Sequence, residues 1–147
     1  MTPLMHEALE PEIEECVETF RRLAAEAPKR GRTTSLDTYL IEWGRFKRKV
    51  AEAAAQCIIR LVPSVAEVYY TELSEDYAGR DIDLVITVGG ASLYEREIED
   101  TIEAILAKLA EAAGIELHGH LASRLFEVHR SDSLIGSRSR VTLLARR

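Results

Sequence analysis

Apolar residues recur along this chain at two different spacings, and the switch between them divides it. From Pro11 onward, Ile13, Cys16, Val17, Phe20, Leu23 and Ala24 follow one another at three- and four-residue steps. That period predicts an amphipathic helix over 11–28, with Pro11 suited to its first turn and Pro28 to Arg32 ending it. A second and longer stripe runs through Leu36, Tyr39, Leu40, Trp43, Phe46, Val50, Ala53, Ala54, Cys57, Ile58 and Leu61. It predicts a helix over 35–62, capped by Ser35 and stopped by Pro63. Arg45, Lys47, Arg48 and Lys49 are assigned to its outer face, as a solvated basic run.

Beyond Pro63 the pattern changes to β-formers. Val65, Val68, Tyr69, Tyr70 and Thr71 predict a strand. A polar connection, 74–80, leads into Asp81-Ile82-Asp83-Leu84-Val85-Ile86-Thr87-Val88, a second strand. So short a link predicts an antiparallel pair. Helical spacing returns in Leu93, Ile98, Ile102, Ile105, Leu106 and Leu109, opened by the capping box Ser92–Glu95 and closed by Gly114. Ile115 to Leu121 alternates apolar and polar, which predicts a half-buried strand with Glu116, His118 and His120 on its polar face. Leu125, Phe126 and Val128 fit a helix turn or a short strand, and Val141 to Ala145 fit a last strand or a helix end. The sheet core with its crossover helix is thus expected over 64–121, with 122–147 as a tail without a fixed assignment. Together these predict a single α+β domain, with helices on one face of a small mixed sheet.

Composition narrows the picture. The chain has 147 residues, 46% apolar and 30% charged, which is enough for one sizeable core. A formal charge of −6 gives no general attraction to nucleic acid or anionic membranes. No apolar run reaches the length of a membrane span and the N-terminus has no signal-peptide pattern, so a soluble, cytoplasmic protein is expected. Cys16 and Cys57 lie on apolar helix faces; buried thiols are expected, with a single disulfide as the alternative. Arginine outnumbers lysine and asparagine is absent, a composition that leans toward a thermophilic source.

The candidate chemistry is acidic. Asp81 and Asp83 share one strand face, their reactive ends roughly 6–7 Å apart. Like charges so placed repel unless a divalent cation sits between them. Glu116 arrives on a strand that a crossover helix can lay beside theirs. Three carboxylates suit Mg2+ or Mn2+, and such ions clamp the oxygens of a phosphoryl transfer. Read plainly, Asp81 and Asp83 are a solvated strand entrance, and the functional reading stands at even weight with that. His118 and His120 are assigned to solvent, since ligands spread along one strand do not meet a single ion. Arg130, Arg138, Arg140, Arg146 and Arg147, interleaved with serines, could contact phosphates, but are read as a basic tail balancing an acidic protein. Trp43, Tyr39 and Phe46 are read as core.

Asp81-Ile82-Asp83-Leu84-Val85-Ile86 on a strand, with a hairpin partner before it and a helix and acid-bearing strand after it, resembles the nucleotidyltransferase fold of the DNA polymerase beta superfamily. The small, minimal nucleotidyltransferases are most similar, from the second helix through Glu116. The resemblance implies transfer of a nucleoside monophosphate from a nucleoside triphosphate to a hydroxyl acceptor. It implies Asp81 and Asp83 as metal ligands, Glu116 as third acid, and Ser74, Gly79 and Arg80 in the loop that meets the triphosphate. The family's Gly-Ser pair is missing: the region reads Val68-Tyr69-Tyr70-Thr71-Glu72-Leu73-Ser74-Glu75-Asp76, whose carboxylates repel a triphosphate. A second expectation is therefore an inactive module of the same fold, an antitoxin-like partner or a homodimer joined through its two N-terminal helices. A metal-dependent nuclease using Asp83, Glu116 and His118 is the third.

Overall fold

In the computed structural model the chain is described over residues 10–28, 35–72, 82–88, 95–114, 126–130 and 140–147. The helical stripes become α1 (Glu10–Ala25), α2 (Leu36–Leu61) and α3 (Glu95–Ala113). Ser35 caps α2 as expected: its Oγ accepts a hydrogen bond from the Thr38 amide at 3.1 Å. Gly114 ends α3 at φ +74°, a left-handed conformation that glycine adopts without strain. Among the described residues no helix is long and apolar enough to cross a membrane.

The strands are β1 (Val65–Glu72), β2 (Ile82–Val88), β3 (Phe126–Arg130) and β4 (Arg140–Arg146). They form one mixed sheet in the order β3-β2-β1-β4. β1 pairs antiparallel with both β2 and β4, whereas β3 runs parallel to β2, as a strand returning through a crossover helix does. The α+β class, the antiparallel β1–β2 pair and the mixed sheet agree with the sequence pattern. The expected strand over 115–121 lies outside the described residues; the strand beside β2 is 126–130, one of the two readings open for that stretch.

One face of the sheet builds the core. Val68, Tyr70, Ile82, Leu84, Ile86, Phe126 and Val128 are buried there against all three helices. Phe20 of α1 meets Phe126 edge-on, with ring centroids 6.3 Å apart, and Trp43 packs edge-on against Tyr39 and Phe46.

Three side-chain assignments are corrected. Cys16 and Cys57 form a disulfide joining α1 to α2, with Cα atoms 6.1 Å apart. Their shared burial, which suggested separate thiols, is what places them face to face. An Arg60–Glu15 ion pair at 3.3 Å spans the same two helices. Lys47 is buried rather than solvated, because it lies on the same helical stripe as Trp43, Val50 and Ala54. Of the arginines read as a basic tail, Arg146 and Arg147 are held by specific partners, Arg138 lies outside the described residues, and Arg130 and Arg140 are placed only by their backbone in β3 and β4. Arg146 pairs with Glu67 at 2.8 Å. Arg147 donates through Nη2 to the carbonyls of Ile59 and Val62 and through Nε to Val65. It thereby satisfies carbonyls that the end of α2 leaves without helical partners.

Candidate active site on the second sheet face

Strand alternation sends every second side chain of the sheet away from the helices. On β2 these are Asp83, Val85 and Thr87. On β1 they are Glu67, Tyr69 and Thr71, between the inward-facing Val68 and Tyr70. Val85 is fully buried and yet stands outside the helix-side core, so this second face is covered at its centre.

Register arranges the face in rows. In the first, Glu127 of β3 is paired with Asp83 of β2. Thr71 of β1 follows Tyr70, whose partner is Leu84, and so lies across from Asp83; it is itself paired with Val141 of β4. Neighbouring strands are about 4.8 Å apart, so the backbone brings an acid position of β3 directly beside Asp83. Thr71 is almost fully buried, and its Oγ1 has no hydrogen-bond partner among the described residues. The second row holds His129, Val85, Tyr69 and Leu143.

The third row is a polar cluster centred on Glu67. Its carboxylate accepts from Thr87 Oγ1 at 3.2 Å and from Arg146 Nε at 3.0 Å. The hydrogen bond from Arg146 is the main influence holding the Glu67 carboxyl below its ordinary range, with Tyr69 and Thr87 adding to it against some burial. Burial, and then the neighbouring Glu67 carboxylate, push the Tyr69 hydroxyl up.

Of the residues singled out in the sequence, Asp83 is therefore placed in the first row of this face, half-buried. Asp81, Glu116, His118 and His120, together with the loop residues Ser74, Gly79 and Arg80, lie outside the described residues. Glu127 was missed. The alternation Phe126-Glu127-Val128-His129 carried the signal, but it falls in a stretch where Leu125 and a Ser-rich segment obscured the period. Chemically, acid positions in register on adjacent strands suit a hard divalent cation. Among the described residues no group of three His, Cys, Asp or Glu side chains converges.

No family model matches this chain, and comparison with curated proteins and with solved structures found no match.

Proposed function

We propose that this protein is a metal-dependent nucleotidyltransferase-like protein that transfers a nucleoside monophosphate from a nucleoside triphosphate to a hydroxyl acceptor. The observation that carries this reading is the register pairing of Asp83 with Glu127 across the parallel β2–β3 pair. It gives β2, which carries Asp83, an acid-bearing neighbour reached through a crossover helix. In this reading Asp81 and Asp83 hold Mg2+ or Mn2+. The third acid is Glu127 or, as the sequence suggested, Glu116; it orients the acceptor and takes its proton as the hydroxyl oxygen bonds to the α-phosphorus and pyrophosphate leaves. A bound divalent ion supplies the positive charge that such a transfer needs. A cytoplasmic location in a thermophile belongs to the same proposal, since disulfides inside cells are otherwise rare.

The test is turnover of ATP, GTP, CTP and UTP with Mg2+ or Mn2+. Asp83→Asn is expected to lower it at least about a hundredfold, the scale of losing a charge-stabilising group. Glu127→Gln and Glu116→Gln, compared directly, identify the third acid. If no triphosphate is turned over or raises the melting temperature with either metal, the enzymatic reading fails. The inactive-module reading then takes its place, favoured by the acidic loop lacking Gly-Ser between β1 and β2.

A further inference from the structure

The two edges of the sheet are treated differently. On β3, the outward amide of Val128 is taken by the Glu103 carboxylate of α3 at 2.9 Å. The opposite edge is β4, seven residues long, bonded to β1 on one side. Among the described residues nothing pairs with its other side. Unpaired strand edges bind other strands unless they are short, charged, bulged or covered; the register shift of β4 falls between Leu143 and Ala145, beyond the Val141–Leu143 segment. The centre of this one is Val141-Thr142-Leu143-Leu144-Ala145, without a charge or a proline. Leu143 is 42% exposed, the one large apolar side chain of a described strand left so open. Alongside runs a groove of about 470 Å³ between β4 and the α1–α2 pair, whose walls include Leu23, Leu144, Arg48 and Glu52.

We propose that β4 is a self-association edge, pairing antiparallel with β4 of a second copy about a two-fold axis. Both the strand and the helix beside it are self-complementary. With the axis at Thr142, Val141 of each copy faces Leu143 of the other, and Thr142 faces itself. These are favourable cross-strand pairs, and the four apolar side chains form one patch. Shifting the axis to Leu143 would instead set Arg140 opposite Arg146, like against like. On α2, Arg48 and Glu52 stand one turn apart, both half-exposed, and form a 3.8 Å ion pair. An opposite-charge pair at this spacing is complementary to itself under an antiparallel two-fold. Arg48 of one copy meets Glu52 of the other, twice, which is how an isologous interface is built. The apolar stripes of α1 and α2, expected from the sequence to join copies, are spent in the core.

Sedimentation velocity from about 1 to about 100 µM spans the range where such dimers form. A concentration-dependent dimer is expected. Leu143→Lys should weaken it at least tenfold without lowering the melting temperature, because an exposed edge lysine blocks pairing but not folding. Arg48→Glu and Glu52→Arg should each weaken it, and the double reversal should restore it, which a purely structural role would not produce. Ile41→Lys, on the exposed part of α2, should leave the dimer unchanged. A monomer throughout the range overturns the proposal. So does a dimer that survives Leu143→Lys, or one that Ile41→Lys dissolves.

Discussion

Breaking the Cys16–Cys57 bond tests the fold where it departs most from expectation. The bridge closes a chain segment with a sequence separation of 41, ties α1 to the middle of the core, and has no free cysteine to exchange with. Loop-closure entropy for a segment of that length gives about 4 kcal/mol at room temperature. For a domain of this size each kcal/mol moves the melting temperature by about 2–4 °C, so reduction should lower it on the order of 10 °C. Both sulfurs sit inside the core, at 2% and 4% residue exposure, so reduction removes the constraint without removing packing atoms. The assay is thermal unfolding with and without reductant, beside a Cys16→Ala, Cys57→Ala variant. The variant should melt near or somewhat below the reduced wild type, since it also loses buried sulfur, and it should ignore reductant. Thiol titration of denatured but unreduced protein should find no free thiol. Two titratable thiols, or a melting temperature indifferent to reductant, would refute the pairing of α1 with α2 described above.

Two further outcomes follow from packing and charge. Phe20 is fully buried and contacts Phe126 edge-on, so Phe20→Ala should cost about 3–5 kcal/mol in urea unfolding; a loss under about 1 kcal/mol would mean that α1 does not seat on β3. The Glu67 carboxyl is held below its ordinary 4.5, chiefly by Arg146, so its contribution to stability is present above that value and lost as pH falls through the lowered folded value. Glu67→Gln should therefore melt lower than wild type at neutral pH, with the gap closing in acid; a constant gap would show that charge at Glu67 is not what matters.

The helices and the first two strands were legible because their periods are long and uninterrupted. Ser35, Pro63 and Gly114 mark ends that backbone hydrogen bonding requires, and those ends fall where the sequence put them. What was not legible depends on pairing between distant residues. Lys47 reads as part of a basic run in sequence, yet helical geometry turns it inward with Trp43 and Val50. Arg147 reads as tail charge until β4 is laid against β1, when its guanidinium reaches the end of α2. Asp83 was visible as a candidate, but its neighbour on β3 was not, because register is a property of the sheet rather than of either strand.

The second face of the sheet then gathers these features into one physical argument. Its first row offers acid positions and a buried threonine hydroxyl, and its third is a neutralised Glu67–Arg146 cluster. Between them Val85 is sealed from water. At one end of the face Glu67 and Arg146 compensate each other's charge. At the other end, register sets the position of Glu127 beside Asp83 on the neighbouring strand, and acid positions so placed suit a hard divalent cation. Divalent metal should therefore stabilise the wild-type protein even without nucleotide, whereas Asp83→Asn should abolish that stabilisation. A metal-induced rise in melting temperature of equal size in both proteins would place the cation elsewhere and detach the acidic end of this face from the proposed chemistry.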